Sequence, residues 1–255
     1  LVNLALNRSL SHRGVVSEWG LEVGEWLGEK AASRLREGEH VTAEQVIRMR
    51  WVLTWKEDPN APDGQKAKAR LVLLGFQDPM LGKEETNSPT MTRRSRMLLY
   101  QRAANKRRIV YKADVKTAFL QNDELPPEEV RYAWAVPELA KALGIPRGEA
   151  CRIPKSVYGL GRAPKGFWEK VDKVLTECAG EMSVADPCVW HFYSDDEEEI
   201  GSIGTHVDDF QIEGDEQNND WNAIVTVVKQ IFRWSCLLYT SDAADEGLGV
   251  DLGGR

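Results

Sequence analysis

Three carboxylates carry the most chemistry in this sequence. Asp114 closes an apolar run in KADVKTAFL, and Asp208 and Asp209 stand side by side in THVDDF. Adjacent aspartates repel each other, and burying either one requires a compensating cation. Such a pair on a hairpin tip, joined by a third carboxylate from another strand, makes a cage for two divalent metal ions. Oxygen-only donors suit Mg2+ or Mn2+. A cage of this kind serves nucleotidyl transfer: one ion activates a 3′-hydroxyl, the other holds the triphosphate and the leaving pyrophosphate. Alone, the pair is also ordinary turn composition, because Asp is common in turns. Order and context along the chain must decide.

The elements that would hold these residues can be read from periodicity. RIVYKADVKTAFL (108–120) predicts a strand running into a turn or short helix, with Asp114 near its end. CVWHFYS (188–194) and IGSIGTHV (200–207) predict strands around the acidic turn DDEEE, and FQIEG the strand returning from Asp208–Asp209. PKGFWEKVDKVLTECAG (164–180) predicts a helix with Pro164 in its first turn and Phe167, Trp168, Val171, Val174, Leu175 and Cys178 on its buried face. NNDWNAIVTVVKQIFRWS (218–235) predicts a last amphipathic helix. Upstream, RMRWVLTWK and KAKARLVLLGF (66–76) predict a hairpin around the turn DPNAPDGQ at 58–65. Its arms carry Arg48, Arg50, Lys56, Lys66, Lys68 and Arg70. TRRSRMLLYQRAANKRR (92–108) predicts a helix with Met97, Leu98, Ala103 and Ala104 as its apolar stripe. EVGEWLGEKAASRLREG (22–38) predicts a weaker helix ended by Gly38. Residues 121–150 read as a loop-rich insertion holding one helix, VPELAKALG, closed by Gly144.

Charge separates the same regions. The net charge is −7, with 33 Lys+Arg against 40 Asp+Glu. Arg48 to Lys116 holds 16 basic and 7 acidic residues, a net of +9, which leaves 17 basic and 33 acidic residues elsewhere, a net of −16. A basic block followed by Asp-rich segments can serve a polyanion and metal ions together, although charge runs are also ordinary solvated faces.

In order and spacing, KARLVLLGFQ, ETNSPT, DVKTAFLQNDELPPEEV, KSVYGLGRAPKGFWEKVDKVL, ADPCVW and HVDDFQIEG resemble the reverse transcriptase of copia-type LTR retrotransposons. The resemblance runs from about Trp51 to Ser235. It implies an α+β fold, the fingers and palm of a right-hand polymerase, with the palm an antiparallel sheet backed by helices. It also implies roles for single residues. Asp114, Asp208 and Asp209 match the metal-binding aspartates, and the backbone carbonyl of Val115 would add a ligand. Phe119, five residues past Asp114, matches the aromatic beneath the incoming sugar, where a ring leaves no room for a 2′-hydroxyl. Its plain alternative is core packing. Lys68 and Arg70 would pair with the triphosphate, Arg in bidentate geometry. Tyr158, Gly159 and Leu160 open the segment expected to support the template base and nucleotide, with Gly159 and Gly161 leaving backbone accessible. Two positions depart from the family pattern. His206 stands where the family has Tyr, at the expected primer end, and Arg162 stands where it has Gln, within reach of a phosphate or template base.

The implied activity is RNA- and DNA-directed DNA synthesis within a retrotransposon polyprotein. The implied partners are an RNA or DNA template with its primer, deoxynucleotides and the rest of the polyprotein, in a cytoplasmic virus-like particle. The alternative is a catalytically dead nucleic-acid-binding remnant that keeps vestigial carboxylates; metal binding separates the two. A zinc site using Cys188, His191 and His206 lacks a recognised ligand spacing.

The expected organisation is a helical lead-in over 1–45, fingers over 46–109 and 121–150, and a palm over 110–120 and 151–215. A helix over 216–235 would lead toward a thumb. CLLYTSDAADE back-translates to a common transposase-type sequencing adapter, so 236–255 is expected to be read-through that makes few contacts. On this reading the chain is a fragment that begins at Leu1, ends before a thumb, and grips primer–template weakly. No run approaches the roughly 18 apolar residues of a membrane span, so no membrane partner is expected. Cys151, Cys178, Cys188 and Cys236 include no CxxC pair, and free thiols are expected.

Overall fold

The computed structural model describes residues 12–58 and 64–240, with side chains placed outside 12–16 and 236–240. Most of the turn at 58–65 and the tail from 241 onward lie outside the described residues. In chain order the elements are α1 (His12–Gly28), β1 (Val46–Glu57), β2 (Gln65–Leu73), α2 (Arg93–Asn105), β3 (Val110–Val115), β4 (Arg131–Trp134), α3 (Pro137–Leu143), β5 (Ala150–Ile153), α4 (Ala163–Glu177), β6 (Glu181–Ser183), β7 (Asp186–Tyr193), β8 (Glu199–His206), β9 (Asp209–Gly214), α5 (Asn219–Ile231) and β10 (Trp234–Thr240). Among the described residues, no helix is long and apolar enough to cross a membrane.

The chain divides into two units, the first comprising 1–86 and 119–163, the second 87–118 and 164–255. These boundaries differ from those expected: 87–109 falls in the second unit rather than with the hairpin, and 151–163 in the first rather than with the Asp-bearing strands.

The first unit is built on a four-stranded sheet ordered β2-β1-β4-β5. β1 and β2 form the expected hairpin, in a register that opposes Trp51 to Leu71 and Leu53 to Ala69 on one face, Val52 to Arg70 and Thr54 to Lys68 on the other. β4 adds to β1 in parallel and β5 returns antiparallel. These two short strands lie where the sequence suggested loop or left the segment unassigned. Four-residue strands are too short for alternation to register. The core joins Trp26, Ile47, Leu71, Leu120, Leu139 and Ile153, all fully buried. Gly144 caps α3 in the left-handed conformation at φ 64°, as its sequence implied.

Helix α1 ends at Gly28, ten residues before the expected stop at Gly38. Lys30 turns left-handed at φ 54°, and Ser33 then exchanges backbone hydrogen bonds with Arg152 of β5 at 2.9 Å each. Pairing with the sheet edge overrides helix propensity here. The retained helix covers the open edge of β2, where the Glu22 carboxylate accepts from the Leu71 N–H at 3.1 Å and from Trp26 Nε1 at 3.2 Å.

The second unit holds a six-stranded, wholly antiparallel sheet ordered β10-β3-β9-β8-β7-β6. Helix α4 buries Phe167, Val171, Val174 and Leu175 as expected, while Trp168 stays half-buried and donates to the Pro187 carbonyl at 3.1 Å. The Asn218 side chain caps α5, accepting from the N–H groups of Asp220 and Trp221. Trp221 then lies over the directly opposed Gly201 and Gly214, where a Cβ would meet its ring at 2.5 and 2.1 Å.

Helix α2 buries Leu99, Tyr100 and Ala103, while Met97 and Leu98 are 41% and 62% exposed, against the stripe expected from sequence. MLLY contains apolar residues enough for either phase. The N-terminal end sets it: Thr92 caps Ser95, and Asp186 accepts the Thr92 N–H at 2.8 Å. Farther along, Arg102, Lys106 and Arg108 converge on Glu199, and Arg108 also reaches the buried Glu213 at 3.3 Å.

Residues 236–240 pair with β3 from Thr240↔Val110 to Cys236↔Asp114, contrary to the expectation that they make few contacts. A short β-prone run such as CLLYT can pair along a strand through its backbone whatever its side chains. Among the described residues Cys151, Cys178 and Cys188 are free thiols.

Candidate active site

Sheet register brings the three aspartates together in the second unit. Asp114, one residue before the end of β3, lies directly opposite Asp209, the first residue of β9. Directly opposed residues on antiparallel strands have Cα atoms about 4.5–5.5 Å apart. Asp208 occupies the two-residue turn before β9, and its carbonyl accepts the Val115 N–H at 2.9 Å. Asp114 and Asp208 are half-buried, Asp209 is exposed and Val115 is buried.

Two β-branched residues with positive φ flank this corner: Val207 at 59° in the β8–β9 turn and Thr117 at 48° just past β3. Each costs of order 1–3 kcal/mol, and such strain concentrates at functional sites. Sequence reading missed both. The available signal was the two-residue turn itself, which ordinarily selects Asn-Gly rather than Val-Asp.

His206, at the end of β8, opposes Asp209, and its Nδ1 lies 3.3 Å from the carbonyl of the buried Met91. The Ser235 hydroxyl donates to the Asp114 carboxylate and, at 3.1 Å, to its backbone carbonyl. Nothing in the sequence pointed to Ser235; a bulge between Trp234 and Cys236 puts it there. By residue type, three carboxylates at one sheet end are oxygen donors of the kind a hard divalent ion takes. Among the described residues, however, no three His, Cys, Asp or Glu side chains already form a group able to hold a metal ion.

Burial pushes the Cys188 thiol up to about 12, helped by the Asp186 charge. His191 lies near the Ser202 hydroxyl at 2.9 Å and Arg102 at 3.2 Å, and burial, then Arg102, hold it below the usual histidine range.

In the first unit three of the expected binding residues cluster. The Arg70 guanidinium lies over the Tyr158 ring, 5.6 Å from its centroid, and Phe119 packs on the same ring at 5.2 Å. Lys68, two residues along β2, is half-buried; burial, then Arg70 and Lys56, hold its ammonium below the ordinary lysine value. Arg162 is half-buried. Gly159 has a packing reason of its own: its φ is 95°, and a Cβ would lie 2.0 Å from the Leu73 carbonyl oxygen. The Tyr158 carbonyl accepts the Leu73 N–H at 2.9 Å, so the loop is fastened to the end of β2.

Comparison with known proteins agrees with the motif reading. A sequence model of the reverse transcriptase (RNA-dependent DNA polymerase) family matches residues 39–250. The retrovirus-related Pol polyprotein from transposon TNT 1-94 of Nicotiana tabacum is 31% identical over 169 residues, 66% of this chain. The chain spans 12% of that polyprotein's length. Among solved structures, a foamy viral protease–reverse transcriptase in complex with double-stranded DNA aligns with 82% of this chain and 28% of its own, at 14% identity and a TM-score of 0.40. The family match covers most of the sequence and includes every residue of the Asp114–Asp208–Asp209 corner; the chain belongs to the reverse transcriptase (RNA-dependent DNA polymerase) family, in the form carried by copia-type retrotransposon polyproteins.

Proposed function

We propose that the chain is the fingers and palm of an RNA- and DNA-directed DNA polymerase, the first unit acting as fingers and the second as palm. The observation that carries this reading is the register that sets Asp114 opposite Asp209, with Asp208 beside it. Asp114, Asp208, Asp209 and the Val115 carbonyl would hold two Mg2+ or Mn2+ ions. Those ions, when bound, neutralise charge developing on the attacking and leaving oxygens. The chain's own groups do the rest. Lys68 and Arg70 bind and orient the triphosphate, and Phe119 packed against Tyr158 forms a platform at the sugar and base. Arg162 contacts a phosphate or template base, and His206, tied to Met91, packs at the primer end. Asp114 must exchange the Ser235 hydroxyl for an ion. That one hydrogen bond is also what favours the second reading, a non-catalytic nucleic-acid-binding remnant.

The test is Mn2+ binding to the chain and to Asp114→Asn and Asp209→Asn, with primer extension measured in parallel. Binding is the primary readout. Each substitution should weaken Mn2+ by more than the roughly 10–100-fold that a supporting residue is worth. Binding that is absent in the wild type, or equal in all three proteins, supports the remnant.

A further inference from the structure

We infer that Asn122 is a positioning residue, a clamp that sets the loop 156–163 against the turn carrying Phe119; the inference rests on the polymerase reading for its purpose. Asn122 is 2% exposed, and its amide nitrogen donates to two carbonyls, Ser156 at 2.6 Å and Ala163 at 3.1 Å. These are the two ends of the loop that presents Tyr158, Gly159 and Arg162. An amide NH2 carries two donors on one atom, so one side chain can hold both ends at once. A carboxylate of the same shape has no proton to offer either carbonyl.

The placement matters because of what lies on each side. Asn122 directly follows the short helix Ala118–Gln121, which holds Phe119. Within the loop the backbone makes local hydrogen bonds, Leu160 N–H to the Val157 carbonyl at 3.1 Å and Ala163 N–H to the Leu160 carbonyl at 3.2 Å. At its centre the loop is fastened to β2 through Leu73, and Gly75 packs so closely that a Cβ would meet the Gly159 carbonyl oxygen at 2.0 Å. Three attachments therefore determine where the Tyr158 ring sits, and Asn122 is the one that holds both ends of the loop to the segment of Phe119. Lys155 reinforces the link, donating to the Leu120 carbonyl at 3.1 Å. Loss of the clamp should leave both aromatics in place on average but let their spacing drift.

The experiment compares wild type, Asn122→Ala and Asn122→Asp by hydrogen exchange on the folded full chain. Both variants should accelerate exchange in peptides covering 157–163 by roughly tenfold or more, while β7, β8 and β9 stay unchanged. An unchanged loop in Asn122→Ala, or a loop protected in Asn122→Asp as well as in wild type, overturns the clamp. If neither variant folds, the wild type decides. Its loop peptides should exchange more slowly than those of the turn at 194–198, which among the described residues no side chain grips at both ends; equal rates overturn the proposal.

Steady-state kinetics then separate positioning from mere stability. Asn122→Ala should raise KM for deoxynucleotides and lower discrimination against ribonucleotides by roughly tenfold, with kcat little changed. A proportional loss of kcat for both sugars would mark a structural role and overturn the proposal. Altered loop exchange in a chain that shows no Mn2+ binding leaves the clamp standing and removes the polymerase reading. Normal loop exchange in an active enzyme does the reverse.

Discussion

Phe119 shows how one residue can carry two physical reasons. Its ring packs on Tyr158 at 5.2 Å, which alone would justify an aromatic side chain. As a steric gate it would also exclude a 2′-hydroxyl. The two reasons predict different losses for Phe119→Val. Losing the ring contact costs about 0.5–1.5 kcal/mol of stability. Losing the gate lowers the deoxynucleotide-to-ribonucleotide ratio of kcat/KM by about two to three orders of magnitude, or ~3–4 kcal/mol. We expect both, with ribonucleotide use rising while deoxynucleotide use falls modestly. An unchanged ratio in a folded, active variant leaves Phe119 as packing only. Val207 and Thr117 make the complementary point: a β-branched residue with positive φ lowers stability, and here two such residues border the aspartate corner.

At the scale of elements, helix α1 and strand β2 are joined by a buried carboxylate. Burial pushes Glu22 above the usual carboxylate range, against the opposing pull of the Leu71 N–H, Trp26, Arg70 and Lys68. A carboxyl whose folded pKa is raised binds its proton more tightly when folded. Its contribution to stability is therefore greatest below the unfolded value and falls as pH rises through the folded one. Glu22→Gln keeps an oxygen to accept the Leu71 N–H and removes the charge. The variant should be more stable than wild type at pH 7, and the difference should vanish as pH drops below about 4. Urea unfolding from pH 3.5 to 8 checks this. A variant destabilised at every pH would show that the ionised form is held by its partners more strongly than burial opposes it.

For the whole molecule, the uneven charge is the feature with a measurable consequence. The hairpin register places Lys68 and Arg70 on one face of β2, opposite Thr54 and Val52. If this face meets nucleic acid or triphosphate, binding of a primer–template should weaken linearly in log–log salt plots. Lys68→Ala with Arg70→Ala should then lower the slope by about 1–2. A slope unchanged by the double substitution would leave the face as solvated surface.

How much of this could be read beforehand depends on the range of the interaction. The order of motifs, the α+β class, the strand–helix–strand–hairpin sequence around the aspartates and the cap at Gly144 follow from local chemistry: alternation, turn composition, a left-handed glycine. The amino-acid sequence by itself also determined the family, because that rests on residue types in order. What only the tertiary structure decided is longer in range. The phase of α2 came from Asp186, far along the chain, and the end of α1 from pairing with Arg152. β4 and β5 exist because neighbouring strands complete their hydrogen bonds. Asp114 and Asp209 are 95 residues apart in sequence, and the motif named both without fixing their distance. Register closed that gap, because alternate backbone N–H groups on β3 must each find one particular carbonyl on β9. The roles of Asn122 and Ser235 were invisible for the same reason: each is defined by hydrogen bonds to groups distant in the chain, and composition carries no record of those.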